Sequence, residues 1–141
     1  MPFPVLCLIV GLSACGTGIT KAPPAPKTET GPPALATTPP AAGEFVLRAK
    51  ASPHTHRPVT LDGRYLVRFA QWAPEDADHS FRHETAFVAA LEAAGPGIRP
   101  QRVALFHAAA AGGRRMIEAH GRYVLDVSFG DFPYVVRLTP G

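Results

Sequence analysis

Apolar and polar residues alternate with a period of two along most of residues 44–141. This is the pattern of β-strands that bury one face. In residues 64–70 the apolar face carries Tyr65, Val67 and Phe69. The alternation predicts strands over residues 44–51, 64–70, 102–108, 114–119, 122–129 and 132–138, with Tyr123, Leu125, Val127 and Phe129 inward in the fifth and Tyr134, Val136 and Leu138 on one face of the sixth.

Glycines mark the predicted turns. Gly130-Asp131 lies between the last two predicted strands, and glycine readily adopts the positive φ that a two-residue hairpin turn requires. Gly112-Gly113 and Gly121 bound the predicted strand over residues 114–119. The sequence therefore predicts that residues 122–129 and 132–138 pair as the last hairpin.

Residues 80–95 have two interpretations. Ser80 as N-cap, Gly95 as C′ residue and Pro96 beyond it predict a helix, which the alanine content also favours. The alternation of Phe87 and its neighbours and the regular spacing of the flanking strands favour a strand instead. We favour a strand over residues 85–92 and keep one helix near 80–94 as the alternative.

These elements predict a mainly β fold, a small antiparallel sandwich or barrel of six or seven strands, formed by residues 44–141 as one domain. Residues 15–43 differ sharply. They are rich in Pro, Ala and Thr and contain no aromatic side chain. Such a composition buries too little apolar surface to offset chain entropy, so it predicts a disordered linker.

The start of the chain has the organisation of an export signal. An apolar run over residues 5–12 is too short to span a bilayer as a helix and ends in small residues. Leu12-Ser13-Ala14-Cys15 resembles the lipobox of bacterial lipoproteins. The resemblance implies that residues 1–14 are removed and that Cys15 is acylated, as a covalent lipid anchor in a cell membrane or outer membrane. Gly16 after the cysteine resembles the class sorted to the outer membrane.

The alternative for Cys15 is an ordinary secretory signal with an incidental or buried thiol. Cys7 lies within the signal, so the lipoprotein interpretation leaves the mature chain no cysteine for a disulfide. The run from Gly121 to Val127 and the turn after it are also similar to the last hairpin of small exported β-sandwich modules. That similarity implies a binding or accessory domain.

Histidines and carboxylates provide the candidate metal ligands. His54 and His56 lie on one side of an extended segment, and His79 and His83 share a face if their segment is helical. The nearby carboxylates are Asp76 and Asp78. Zinc takes three or four such ligands, so a site requires the two loops to meet. The acidic run also raises the question of calcium, but Phe81 stands where an EF-hand loop needs glycine.

Catalytic and nucleic-acid motifs are missing from the sequence. No serine lies in a nucleophile elbow, and no glycine loop precedes a helix as in phosphate sites. We therefore expect no enzyme activity, no cofactor (zinc or calcium aside) and no nucleic acid partner.

The formal net charge is +3 and the basic residues are mostly arginines (Arg48, Arg57, Arg64, Arg68, Arg82, Arg99, Arg102, Arg114, Arg115, Arg122 and Arg137). Several of them are expected to point outward from strands. They predict either a solvated sheet face or a surface for anionic partners. The sequence predicts an envelope lipoprotein with a non-catalytic binding domain, whose partner is an envelope protein or an anionic glycan or lipid. The alternative is a metal-binding lipoprotein.

Overall fold

A computed structural model describes residues 31–74, 76, 86–95 and 101–141. They form one single-turn helix and seven strands: α1 (Ala34–Thr37), β1 (Phe45–Ala49), β2 (His54–Thr55), β3 (Val59–Gln71), β4 (Ala86–Ala93), β5 (Arg102–Ala109), β6 (Gly112–Gly130) and β7 (Tyr134–Pro140). The strands make one antiparallel sheet in the order β1-β7-β3-β6-β4-β5, with β2 also paired to β6. The mainly β, antiparallel prediction is confirmed.

Two long strands organise the sheet. β3 and β6 pair without interruption from Val59↔Tyr123 to Ala70↔Gly112. Gly63 and Gly121 have φ of +118° and +122°, and they lie two positions apart along this ladder. Side chains rarely tolerate this region of φ, so both strands change direction where glycine permits it.

The sheet rolls around a single core. The rings of Phe69 on β3 and Phe87 on β4 stack with centroids 4.3 Å apart, although β6 separates these two strands in the sheet. Tyr123, Tyr134 and Leu125 are fully buried in the same core. The inward faces predicted from alternation are confirmed except at Phe129. This side chain, near the end of β6, is 53% exposed.

The roll is not a closed barrel. β2 and β3 pair with the same edge of β6, at residues 126–127 and 112–123, and β4 pairs with the opposite edge, so β2 continues the line of β3. Within the described residues β1 pairs with β7 and not with β2 or β3. The opening between β1 and residues 54–59, which we call the seam, is therefore bridged by no strand pairing.

Two predictions about individual elements are resolved by the pairing. Residues 86–93 form β4, which pairs with both β5 and β6, so the strand prediction is confirmed and the helix alternative near 80–94 is wrong over these residues. Residues 80–85 lie outside the described residues.

The predicted last hairpin is also wrong, because β7 pairs with β3 and β1 rather than with β6. β3 lies between β6 and β7 in the sheet. The Gly130-Asp131 turn therefore connects two strands that are not neighbours.

The disordered linker predicted to extend to residue 43 is wrong for residues 31–43. Ala36 of α1 is buried, and the backbone of this segment is bound by Arg137 of β7. The segment covers the outer face of β7, which explains why Val135 and Arg137 are as buried as the inward residues. A proline-rich segment has carbonyls without intrasegment partners, so a buried guanidinium can satisfy them.

Candidate functional site

The seam forms a groove along the free side of β1. One part, ≈ 500 Å³, lies between Val46–Arg48 on β1 and His54–Arg57. The adjoining part, ≈ 370 Å³, lies between Glu44–Leu47 and Arg57–Val59. Rising numbers on β1 face falling numbers on the opposite wall, so the two walls run antiparallel. We call this feature the seam groove.

The opposite wall is held on β6. His54 and Thr55 pair with β6 as strand β2, and the His56 backbone N–H donates to the Leu125 carbonyl at 2.8 Å. Pro58 has no N–H to give to any neighbour. Among the described residues, the other edge of this wall does not pair with β1.

The charge of the groove is positive. Arg48 and Arg57 line it and are exposed. Glu44, at one end, is the acidic residue among its lining residues, but its side chain is only 2% exposed and already holds two guanidinium groups. Asp126, which accepts a hydrogen bond from the Thr55 hydroxyl at 2.9 Å, lies beside the groove but not among its lining residues. An anion entering the groove therefore meets two exposed arginines on its walls.

The inner side of the groove carries a neutral polar pair. His56 is buried, and its Nε2 lies 2.9 Å from the Tyr134 hydroxyl. Burial, with a smaller contribution from the charge of His54, lowers the pKa of His56 to about 4. Burial and the charge of Asp126 raise the pKa of Tyr134. Both groups are uncharged at neutral pH, so the arginines set the charge of the groove.

A buried ionic cluster fixes one end of β1. Arg137 Nη1 donates to Glu44 Oε2 at 2.7 Å, and Arg68 Nη2 donates to Glu44 Oε1 at 3.2 Å. The hydroxyl of Thr139 donates to the same Oε1 at 2.7 Å. Burial alone would raise the pKa of Glu44, but its hydrogen bonds with Ala41 and Thr139 and its attraction to Arg137 outweigh burial, and the pKa is lowered. The carboxylate is therefore ionised and held in place.

Arg137 also binds the segment that precedes β1. Its Nε donates to the Leu35 carbonyl at 2.6 Å, and its Nη2 donates to the Thr38 carbonyl. The same guanidinium thus joins α1, the start of β1 and β7. Residues 31–43 cover Arg137, so this arginine is not one of those that point outward to solvent.

The structure brings together some of the predicted metal ligands. The rings of His54 and His56 lie edge-on with centroids 4.5 Å apart, but Nε2 of His56 bonds the Tyr134 hydroxyl. Among residues 31–74, 76, 86–95 and 101–141, no group of three or more His, Cys, Asp or Glu side chains is placed to hold a metal ion. His79, His83 and Asp78 lie outside the described residues, as does Cys15. Asp76 is described and exposed.

A second cleft, ≈ 580 Å³, lies at the other end of β1. Its lining is more apolar and includes Ala36, Trp72 and Pro133, with Arg48 and Lys50 among its lining residues. Arg48 lines both this cleft and the seam groove. The sequence prediction did not single out Arg48, Arg57 or Tyr134, because their grouping depends on which strands are neighbours. Pro58, which interrupts the wall, was the available signal.

Within the described ranges no helix is long and apolar enough to cross a membrane. No known protein family, curated protein or solved structure matches the chain. The residues and geometry of the groove are therefore the basis for inferring function.

Proposed function

We propose that the protein is a bacterial envelope lipoprotein whose acylated Cys15 holds a non-catalytic β-rich domain at a membrane. The domain binds an anionic envelope partner in the seam groove. The observation that carries the binding role is the open groove itself, which has Arg48 and Arg57 exposed on opposite walls and its acidic residue, Glu44, sequestered. Such a site attracts anions, because its exposed lining residues carry positive charge.

The proposed anchor follows from the lipobox-like sequence. Several acyl chains on one residue satisfy the two-signal requirement for stable membrane attachment, since each buried CH₂ contributes about 0.8 kcal/mol. Because residues 31–43 pack on the sheet, the composition-based prediction of a tether now applies to residues 16–30. At ~3.1 Å per residue an extended tether of this length reaches on the order of 45 Å. This is enough to place the groove well beyond the headgroups.

Cell fractionation tests the anchor. Cys15→Ser is expected to move the protein from the membrane to the soluble fraction, because it removes the acylated thiol. Cys7→Ser, within the same apolar run, is the matched control and is expected to remain in the membrane fraction. Equal membrane partitioning of Cys15→Ser and the parent would overturn the anchor.

Crosslinking in cells tests the binding site. The double variant Arg48→Glu/Arg57→Glu reverses the charge of the groove and is expected to lose the crosslinked partner. Arg114→Glu/Arg122→Glu makes the same change in net charge on two exposed residues of β6 and is expected to retain it. A partner that crosslinks equally to both variants would show that the groove is not the binding site.

A further inference from the structure

We propose that the occupant of the seam groove is an extended acidic segment of another polypeptide, which adds to the free edge of β1 as a strand. This inference rests on the proposed function, because it names the class of partner that the groove binds. The segment carries Asp or Glu at alternate positions and apolar, preferably β-branched, residues between them. It lies in the opening between β1 and residues 54–59.

The edge of β1 provides the backbone groups for this pairing. β1 is an end strand of the sheet, and in the described part of the chain it pairs with β7 alone. An edge strand has a row of N–H and C=O groups that a further strand can bond. The other end strand, β5, is partly covered, because the Arg115 guanidinium donates to the Ala104 carbonyl at 2.7 Å. No comparable side chain is found on the edge of β1 among the described residues.

The groove has the size of a short strand. β1 has five residues, and a strand of this length is about 16 Å long, takes about 4.8 Å of sheet width and is about 10 Å thick, which gives on the order of 800 Å³. The two parts of the groove, ≈ 500 and ≈ 370 Å³, share Val46, Leu47 and Arg57 and are together of similar size. The groove is therefore comparable in volume to a five-residue strand.

The side chains on the groove define the alternation in the occupant. Leu47 is partly buried against the core, so the added residues that face inward meet apolar surface and the neutral His56–Tyr134 pair. Those that face outward lie near the exposed Arg48 and Arg57. Successive residues of a strand point to opposite faces, so one strand meets both requirements only if apolar and acidic residues alternate.

Charge argues against a second copy of this chain as the occupant. Pairing of two β1 strands would place Arg48 and Arg57 of both copies at one interface, on a chain whose net charge is already +3. Like charges brought together across an interface are unfavourable, whereas carboxylates on the occupant neutralise them. The observations thus favour a different, acidic polypeptide.

The test is binding of a synthetic peptide to the full-length protein in detergent micelles, followed by fluorescence anisotropy. The probe is a capped peptide of about seven residues in which Glu and Val alternate. Two further peptides carry N-methyl groups at every Glu or at every Val, which removes the N–H donors along one edge without changing the charge. If the peptide adds as a strand, at least one N-methylated form should bind about tenfold more weakly, because several backbone hydrogen bonds are lost.

Protein variants and amide exchange give independent readouts. Arg48→Glu/Arg57→Glu should weaken binding of the unmodified peptide by about tenfold or more, and the matched control Arg114→Glu/Arg122→Glu should not. Added salt should reduce the difference between the two variants. Hydrogen exchange of amides within Phe45–Ala49 should slow on binding, because strand addition engages them. The peptide comparison uses the parent protein, so it does not depend on the folding of any variant.

The outcomes separate this inference from the proposed function. Equal affinity of all three peptides, with sensitivity to Arg48→Glu/Arg57→Glu, would overturn strand addition but leave an anion-binding groove. Binding of anionic vesicles or polygalacturonate in the groove, without binding of the peptide, would also overturn strand addition and leave an anion-binding groove. A dimer that is abolished by Arg48→Glu/Arg57→Glu would identify a second copy as the occupant and also overturn the inference. Cellular crosslinking that is indifferent to the two arginines would overturn the proposed function itself.

Discussion

Removing the Arg137 guanidinium should release residues 31–43 and destabilise the domain. The side chain is 3% exposed and its ionic partner Glu44 is 2% exposed. Replacing one member of a buried ion pair leaves the other charge buried, at a cost of about 3–5 kcal/mol. Glu44 keeps Arg68 and Thr139 in an Arg137→Met variant, so we expect the lower end, about 3 kcal/mol of the free energy of unfolding.

The assay is chemical denaturation of the soluble chain 16–141 followed by circular dichroism, with Arg114→Met as the exposed control. A loss of about 3 kcal/mol corresponds to a fall in Tm of on the order of 12 °C or more for a domain of this size. Arg114→Met should stay within about 0.5 kcal/mol of the parent. Hydrogen exchange of Ala36 and Thr38, whose amides donate within the α1 turn, should accelerate in the Arg137 variant.

The double variant Glu44→Gln/Arg137→Met identifies the cause. Removal of both charges takes away the uncompensated carboxylate, so the double variant should be less destabilised than the sum of the two single variants. An Arg137→Met protein within about 0.5 kcal/mol of the parent, with unchanged exchange in α1, would refute this account of how the segment is held.

Three further predictions concern the sheet and its core. The pKa of His56 is about 4 in the fold and 6.5 when unfolded, so below pH 6.5 the unfolded chain binds the proton first. The free energy of unfolding should fall by about 3 kcal/mol between pH 6.5 and 4. His56→Gln should flatten this part of the curve of unfolding free energy against pH. His107→Gln, at an exposed residue, should not flatten it. Equal slopes in both variants would contradict the assignment. Phe87→Ala should lose about 3–5 kcal/mol in denaturant titration, because the ring is fully buried against Phe69. Phe129→Ala should lose about 0.5 kcal/mol or less, and similar losses would mean that the core is misassigned. Gly121→Ala should cost about 1–3 kcal/mol, because φ there is +122°; an unchanged denaturation midpoint would show that the bend in β6 does not require glycine.

The buried cluster also connects the proposed tether to the proposed binding site. Arg137 holds the segment through which the chain enters the domain, and through Glu44 it fixes the start of β1. The free edge of β1 is thereby kept in place. A rigid edge loses less conformational entropy on binding, which favours strand addition.

The sequence alone determined the class of the fold and the faces of its strands. Tyr65, Val67 and Phe69 are buried as their alternation predicts, since the period of two is a local property of an extended chain. The lipobox-like sequence and the basic composition were likewise readable without coordinates, and they define the proposed anchor and the anionic class of partner.

The tertiary structure decided what depends on neighbours distant in sequence. Which strands pair and why Arg137 is buried follow from the position of β3 beside β7 and from residues 31–43 on the outer face of β7. Phe129 is exposed where the β4–β6 register shifts between Val88 and Ala89, which places Phe129 opposite Val88 and not opposite an inward residue. The seam groove has the same origin, because it exists only where β1 and β2 fail to meet. Alternation fixes the face on which a side chain lies, but pairing is a competition among all strands for the same backbone hydrogen bonds. A single strand's sequence does not contain the result of that competition.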